Sequence, residues 1–260
     1  MRLEHTKVLQ ADMAKIGADL LAWRKDPAAL HVHEPKALKT EADRRAHEAL
    51  AAAIARAYPG DPIISEEDAA HSLERPDRYW LIDPIDGTAS WLHGFDGFVT
   101  QAALIERETP VIGLVCAPAL DLFYAGAEGE GAFLNGERLP PLAVRDGLIA
   151  IDNTPEPHGF TAALSAHMPL TGYVESGSLG LKCCRVADGA ADIFAKNVVI
   201  RDWDLAPAAV LLSELGGRLT GLDGAPFPFS GSWEKPDGFV AARTGAALET
   251  CLAAIAALGD

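Results

Sequence analysis

The run from Asp83 to Thr88, Asp-Pro-Ile-Asp-Gly-Thr, holds the side chains best suited to chemistry in this sequence. An apolar run delivers the chain to Asp83, and Pro84, which has no backbone N–H, is expected to end that strand. The two carboxylates, with the Ile85 carbonyl between them, can converge on a hard cation such as Mg²⁺ or Ca²⁺. Gly87 permits a tight turn, and Thr88 is expected to cap a short helix whose free N–H groups face an anion. The alternative is an acidic surface turn, because Asp, Pro and Gly are common turn residues.

Three further acidic segments carry candidate ligands, and each also has an ordinary structural explanation. The segment Ser65-Glu66-Glu67-Asp68 follows an apolar run, and consecutive acids there repel one another unless a cation or solvent relieves them. Asp204 stands beside Trp203 before an apolar helix, so it can reach into a site or simply cap that helix. Thr40 and Asp43 open an alanine-rich helix, and capping accounts for both without any function.

Together these segments resemble the inositol monophosphatase superfamily of metal-dependent, lithium-sensitive phosphatases. The family's acid pair after a strand corresponds to Ser65-Glu66-Glu67, and its motif D-P-[IL]-D-G-T is complete at Asp83–Thr88. Its W-D-x-A motif occurs as Trp203-Asp204-Leu205-Ala206, and Thr40-Glu41-Ala42-Asp43 also matches. The resemblance extends over nearly the whole chain, and the combination of these motifs is very specific.

The resemblance implies a set of metal ligands. Glu66, Asp83 and the Ile85 carbonyl would hold a first Mg²⁺ ion. Asp83, Asp86 and Asp204 would hold a second, with Asp83 as the bridging ligand. A third, weaker ion would bind at Glu66.

The resemblance also implies catalytic and phosphate-binding roles. Thr88 and Asp43 would orient and deprotonate the attacking water, and with Glu66 they form the predicted catalytic set. The backbone N–H groups of Gly87 and Thr88 would hold the phosphate oxygens. Phosphoryl transfer needs an in-line water, a neutralised phosphate and a stabilised leaving oxygen, all of which two metals can supply. We therefore expect two to three Mg²⁺ ions per site, Mn²⁺ as a possible substitute, and inhibition by Li⁺ and Ca²⁺.

The preferred phosphate ester is less clearly indicated. Ser65 stands where many inositol phosphatases have Gly, and Ala206-Pro207 follows the W-D pair, as in the 3'(2'),5'-bisphosphate nucleotidase branch. That branch removes the 3'-phosphate from adenosine 3',5'-bisphosphate. By contrast, Trp91–Phe95 resembles the F-x-H-G-[FY] segment of the inositol side, and the Gly-Pro-Thr segment common before W-D in the nucleotidases is replaced by Val198–Arg201.

Three polar residues are candidate substrate contacts. Asn197 stands where inositol-specific members carry a Glu that accepts hydrogen bonds from ring hydroxyls. A neutral amide beside Lys196 favours binding of a second phosphate, which a carboxylate in its place would repel. Lys182 lies in a G-S-x-x-x-K pattern that faces substrate in the nucleotidases, although it and Arg201 are equally well explained as exposed charges. The bisphosphate is therefore slightly favoured over inositol 1-phosphate or a sugar phosphate, with histidinol phosphate and fructose 1,6-bisphosphate as further alternatives.

The elements that must position these residues follow from apolar periodicity. Helices are predicted over Thr6–Trp23, from Thr40 to Pro59-Gly60, and over 160–168, 177–189, 203–217 and 244–258, while Asp26–Lys39 reads as a loop or ribbon. Short β-branched runs at 62–68, 78–88, 98–106, 109–119 and 122–128 predict consecutive strands of one antiparallel sheet, and Asn135-Gly136 a hairpin tip. From residue 148 onward, strands and helices alternate. The pattern predicts a layered α+β/α sandwich (αβαβα), with residues 1–145 and 146–260 as two domains and the site at their interface.

Composition excludes several other classes of protein. The chain has 260 residues, 22 Lys+Arg against 37 Asp+Glu and a formal net charge of −15, which argues against a nucleic acid polymer as partner. A small anionic phosphate ester would instead bind to this acidic protein through metal ions in the site. No apolar run is long enough for a membrane span and no signal-peptide pattern begins the chain, so a cytoplasmic location is expected.

The remaining expectations concern the cysteines and partners. The four cysteines lack a paired spacing and are interpreted as small buried hydrophobes. The resemblance suggests a homodimer. A non-catalytic regulatory homologue and a calcium-binding module are alternatives, but the full set of acids and the absence of EF-hand spacing disfavour them.

Overall fold

The structure is a computed structural model that describes residues 2–36, 38–72 and 74–259. Its helices lie close to the predicted positions. They are α1 (Arg2–His5), α2 (Lys7–Trp23), α3 (Glu41–Ala57), α4 (Thr88–Leu92), α5 (Gly159–Ser165), α6 (Leu179–Ala187), α7 (Asp202–Leu215) and α8 (Gly245–Ala257). Thr40 is the N-cap of α3, as predicted, and Gly216 ends α7 in a left-handed conformation.

The strands lie between these helices along the chain, either singly or in runs of two or more. They are β1 (Val32–Glu34), β2 (Lys39–Thr40), β3 (Ile63–Ser65), β4 (Arg78–Asp86), β5 (Val99–Glu106), β6 (Thr109–Ala117), β7 (Leu122–Ala127), β8 (Gly131–Leu134), β9 (Glu137–Arg138), β10 (Leu148–Asp152), β11 (Leu170–Glu175), β12 (Ile193–Lys196), β13 (Ile200–Arg201), β14 (Arg218–Thr220), β15 (Glu234–Lys235) and β16 (Phe239–Ala242). The ribbons β1–β2 and β13–β15 consist of strands of two or three residues, too short to give a periodic signal.

The larger sheet has seven strands in sequence order, from β3 to β9. Its strands are antiparallel except at one edge, where β3 and β4 pair in parallel, so the prediction of a wholly antiparallel sheet was wrong there. A parallel pair requires the chain to return to the same end of the sheet between the two strands. This parallel pair places Ser65 beside Ile82, and therefore Glu66 next to Asp83.

The expectation that Pro84 ends the strand was also wrong. Strand β4 continues to Asp86, because its register with β5 shifts between Asp83 and Asp86. Such a bulge removes the need for a ladder hydrogen bond at Pro84. It also re-aims the two aspartates that flank the proline.

The smaller sheet has five strands in the order β11-β10-β12-β16-β14. Strands β10, β11 and β12 are parallel and joined through α5 and α6, whereas β16 is antiparallel to both β12 and β14. This mixed sheet agrees with the alternating pattern predicted after residue 148.

The elements stack in five layers, which confirms the predicted αβαβα architecture. Helices α2 and α3 pack on one face of the larger sheet, and α6 and α7 pack on its other face. The same α6 and α7 contact the smaller sheet, whose far side is covered by α5 and α8. Burial of both faces explains why β5 and β6 are nearly continuous apolar runs.

Close contact between α7 and the larger sheet depends on Gly113 of β6. A Cβ atom at this position would lie 2.0 Å from the carbonyl oxygen of Pro207. Only glycine therefore allows the first turns of α7, which carry Asp204, to rest on the sheet that carries Asp83. All four cysteines are free and buried, as expected, and none of the helices in the described part of the chain is long and apolar enough to cross a membrane.

Candidate active site

Four acidic residues from three segments face one another between the larger sheet and α7. Asp83 and Asp86 come from the end of β4, Asp204 from the first turn of α7, and Glu66 from the loop after β3. The three aspartates are between 1% and 8% exposed. Sequence reasoning selected all four residues, and the fold brings them together.

Burial and mutual repulsion govern the protonation of this cluster. Removal from water raises the pKa of the Asp83 carboxyl well above its ordinary value, and repulsion from Glu66, Asp86 and Asp204 raises it further. The pKa of Asp204 is likewise well above its ordinary value, through burial and then repulsion from Asp86. Burial raises the pKa of Glu66 as well. The charge of four acids in this arrangement must be neutralised, either by a bound cation or by protonation.

The donor set fits a hard divalent cation. Asp83 Oδ1 is buried and has no hydrogen-bond partner, so one ligand oxygen of the central carboxylate is unsatisfied. The surrounding donors are carboxylate oxygens and the Ile85 carbonyl, the ligand type that Mg²⁺ prefers. Within residues 2–36, 38–72 and 74–259, no three His, Cys, Asp or Glu side chains already have the spacing of a complete metal centre. The carboxylates would therefore draw together around a bound ion.

Asp86 connects the end of β4 to the start of α6. Its carboxylate accepts hydrogen bonds from Ser178 Oγ at 2.6 Å, Gly180 N at 2.7 Å and Leu179 N at 3.2 Å, which lie at the start of α6. These donors fix the orientation of the carboxylate, and they hold the N-terminus of α6 against the end of β4.

Gln101 is a site residue that sequence reasoning missed. It lies on β5 directly opposite Asp83 and is fully buried. Its Nε2 donates to the carbonyl of Trp203 at 3.0 Å and lies 3.4 Å from both Asp86 Oδ2 and the Asp204 carbonyl. A glutamine within a β-branched run has no motif, and only the register of β4 and β5 reveals its position.

A second pair of residues stands beside the acidic cluster. Thr88 Oγ1 is 3.1 Å from Asp43 Oδ1 and 3.0 Å from the Ile85 carbonyl. The other oxygen of Asp43 accepts from Thr40 N at 2.7 Å and Thr40 Oγ1 at 2.5 Å, in the capping box of α3. Burial raises the pKa of Asp43. Capping and the predicted water-activating role therefore use different oxygens of one carboxylate.

Gly87 makes the turn that presents Thr88. It is the N-cap of α4 with φ of 89°, a conformation that favours glycine, so Thr88 is the first residue of the helix and not its cap as expected. The first amides of this helix have no intrahelical partner. The short helix predicted after the motif is present.

Comparison with known proteins agrees with this geometry. The sequence profile of the inositol monophosphatase family matches residues 3–258. The chain is 32% identical over 219 residues to the histidinol-phosphatase of Mycobacterium tuberculosis (strain H37Rv), covering 77% of this chain and 80% of that protein. It is 32% identical over 205 residues to the inositol-1-monophosphatase of Bacillus subtilis (strain 168), covering 75% and 76%. An inositol monophosphatase structure from Thermotoga maritima superposes with a TM-score of 0.80 at 27% identity, covering 99% of both chains.

The chain belongs to the inositol monophosphatase family. Members of this family are metal-dependent phosphatases, generally with Mg²⁺, that act on small phosphate esters. The protein is therefore a phosphatase of this family, and the resemblance drawn from its motifs is confirmed.

The candidate substrate residues of this family member occupy three different environments. Lys182 is 3% exposed, and its Nζ lies 4.9 Å from the centre of the Phe194 ring and 3.5 Å from the Ser176 carbonyl. Burial lowers the pKa of Lys182 to about 8, although Asp152 and Asp86 oppose this shift. The ammonium therefore lies beneath the segment before α6, on the Asp86 side of the cluster.

Lys196 and Asn197 lie at the end of β12. Lys196 Nζ is 2.6 Å from Asp152 Oδ1 and 3.3 Å from Asn153 Oδ1. Asn197 is exposed. Ser65 is the residue that favoured the nucleotidase branch. Its hydroxyl lies 2.8 Å from the His47 ring and accepts a hydrogen bond from Glu67 N at 3.2 Å. These contacts hold the acidic loop in place.

Two cavities flank the acidic cluster of this phosphatase. One, of about 1010 Å³, is lined by residues that include Lys36, Lys39, Glu66, Arg201 and Trp203. The other, of about 490 Å³, begins at α4 and is lined by residues that include Ser90, Asp96, Asn153, Glu175 and Ser176.

Proposed function

We propose that this protein hydrolyses a small phosphate monoester with Mg²⁺ and an activated water, and that its substrate is the 3'-phosphate of adenosine 3',5'-bisphosphate. The contact between Thr88 and Asp43, beside four mutually repelling acids, carries the hydrolytic part of this proposal. This contact places a hydroxyl and a basic carboxylate oxygen beside a cluster of acids that favours bound cations.

Metal binding is assigned to the residues that repel one another without it. Glu66, Asp83 and the Ile85 carbonyl would hold one Mg²⁺, and Asp83, Asp86 and Asp204 a second. Bound Mg²⁺ supplies a more acidic water and positive charge for the phosphate and the leaving oxygen. Hydrogen bonds prepare this site before any ion arrives, because Gly180 N and Gln101 Nε2 fix the Asp86 carboxylate and Gln101 also holds the start of α7.

The protein's own groups would position and deprotonate the water. Thr88 Oγ1 lies between Asp43 Oδ1 and the Ile85 carbonyl, so its single proton can go to Asp43 while its lone pairs receive the water's proton. The raised pKa of Asp43 makes this carboxylate a better proton acceptor. The amides of Gly87 and Thr88 would hold the phosphate oxygens in line with that water.

The preference for a bisphosphate rests on charge near Asp152. Two ammonium groups, Lys182 and Lys196, lie near this one buried carboxylate. Burial is the main cause that lowers the pKa of Lys182, and repulsion from Lys196 lowers it further. Asp86 also attracts Lys182 but is assigned to Mg²⁺, which leaves one positive charge without a carboxylate of its own. A second phosphate would neutralise it, and the neutral Asn197 nearby adds no opposing charge.

Histidinol phosphate is a second candidate. Asp96 and Glu175 line the cavity that begins at α4 and could receive the amine of that substrate. The similarity to a histidinol-phosphatase supports this alternative. It predicts that Glu175→Gln impairs the amine-bearing substrate and leaves the bisphosphate unaffected.

We also propose that residues 1–145 and 146–260 are separate domains that meet at this site. Asp86 and Gly180, one on each side of the boundary, are joined by a hydrogen bond of 2.7 Å.

The test of the hydrolytic proposal is phosphate release by metal-depleted protein before and after Mg²⁺ is restored. Activity should depend on Mg²⁺ and disappear in Asp83→Asn. The matched control is Asp188→Asn, which changes a buried carboxylate that pairs with Arg185 away from the cluster. Hydrolysis that persists without metal, or in Asp83→Asn, would contradict the proposal.

A further inference from the structure

Lys39 places an ammonium group against the acidic loop after β3. Its Nζ donates to the Glu66 carbonyl at 2.8 Å and lies 3.4 Å from Glu67 Oε2. The Lys39 and Glu67 side chains are 23% and 13% exposed, so solvent screens this pair only partly. A fixed positive charge therefore stands on the cavity side of Glu66.

Lys39 also lies between the two catalytic segments. It precedes Thr40, whose capping box orients Asp43, and it reaches across to the loop that carries Glu66. Lys39 and Glu66 line the same cavity of about 1010 Å³. The ammonium thus lies against the backbone of Glu66 and close enough to attract its carboxylate, while the Glu66 side chain contacts Asp83.

We propose that the Lys39 ammonium takes the place of a third metal ion beside Glu66, so that this phosphatase binds two divalent cations and not three. The inference rests on the proposed function, which assigns two ions to Asp83 and its neighbours. An ammonium and a divalent cation repel strongly within a few ångströms. In addition, Lys39 already contacts the Glu66 carbonyl and a Glu67 oxygen, two hard oxygens beside Glu66 that are then less available to a third ion.

The experiment counts bound ions and does not rely on activity. Metal-depleted full-length protein is titrated with Mn²⁺, and the free ion is measured by electron paramagnetic resonance. Wild type should bind two Mn²⁺ per chain, and Lys39→Met and Lys39→Gln should gain a third, weaker site. Lys39→Arg should stay at two, because the charge is kept.

Lys36→Met is the matched control. Lys36 is an exposed cation that lines the same cavity, and its loss should leave the count at two. Comparing Met with Gln at position 39 separates charge from hydrogen bonding, because Gln can still donate to the Glu66 carbonyl. Circular dichroism establishes that each variant is folded.

The outcomes separate this proposal from the one on which it rests. Three ions in wild type would overturn the role of Lys39 without any variant. Two ions in a folded Lys39→Met or Lys39→Gln protein would overturn it as well. No bound Mn²⁺ in wild type would instead overturn the proposed function.

Discussion

Thr88 Oγ1 lies 3.1 Å from Asp43 Oδ1, although 45 residues separate the two along the chain. Each is fixed by its own element, Asp43 by the capping box of α3 and Thr88 by the turn at Gly87. The pair is therefore set before any substrate binds. Such preorganisation is what general-base chemistry on a water requires.

Removing either partner should slow the chemical step. Asp43→Asn and Thr88→Val are each expected to lower kcat by about 10²–10⁴-fold, the range for a lost general base. Because neither side chain is assigned to a metal, calorimetric Mg²⁺ affinity should change little. A variant of either kind with wild-type kcat would exclude the pair from catalysis.

Asp83→Asn tests the carboxylate that we propose as a ligand of both Mg²⁺ ions. Hydrolysis by the variant should fall to the background rate, because several kcal/mol of metal-derived transition-state stabilisation are removed. Phosphate release at saturating Mg²⁺ measures this loss.

The same variant should be more stable than wild type when both are free of metal. The folded-state pKa of Asp83 is raised, so the folded protein binds more protons than the unfolded chain above the ordinary value of 3.8. The wild-type free energy of unfolding therefore falls as pH rises through that range, and the variant escapes this loss. Urea unfolding in the presence of EDTA measures the free energy of unfolding of both proteins. The value for Asp83→Asn should equal that of wild type near pH 3 and exceed it by at least about 1 kcal/mol at pH 7. An advantage that shrinks with pH would contradict this assignment.

Gln101 tests how the carboxylates are held. Gln101→Leu removes the donor shared by Asp86 and the carbonyls at the start of α7, and Mg²⁺ affinity should fall by about 10–100-fold. Thr100→Val is the control, since its buried hydroxyl on the same strand has no hydrogen-bond partner. Equal metal affinities in the two variants would remove Gln101 from the site.

Lys182 gives a prediction for pH. Its ammonium has a pKa of about 8, so the charge offered to a second phosphate is present below that pH and lost above it. The ratio of kcat/KM for adenosine 3',5'-bisphosphate to that for inositol 1-phosphate should therefore decline between pH 7 and pH 9. Lys182→Met should show a low ratio with little pH dependence. A wild-type ratio that is constant over this range would argue against Lys182.

Much of this site could be predicted from sequence because its residues stand in short motifs. Asp83, Asp86 and Thr88 lie within six residues, and the local geometry of a strand end and a turn already joins them. Capping preferences likewise located Thr40 and Asp43 at the start of α3. The layered order of helices and strands followed from the change in apolar periodicity near residue 148.

Relationships that depend on sheet register could not be predicted in this way. The parallel pairing of β3 with β4 and the bulge at Pro84 are tertiary outcomes, because the same residue runs also suit an antiparallel hairpin and a strand end. Gln101 and Lys39 act through partners far away in sequence, so neither has a local signal. The ion pair of Lys196 with Asp152 could not be predicted from sequence for the same reason.

The most direct test is phosphate release with Mg²⁺ from adenosine 3',5'-bisphosphate, inositol 1-phosphate, histidinol phosphate and fructose 1,6-bisphosphate. We predict Mg²⁺-dependent hydrolysis in which the adenosine bisphosphate leads by about a hundredfold in kcat/KM, roughly 2.7 kcal/mol of transition-state preference. A lead for inositol 1-phosphate or histidinol phosphate would contradict the role given to Lys182 and Lys196. No release from any of the four would contradict the assignment of this site to phosphate ester hydrolysis.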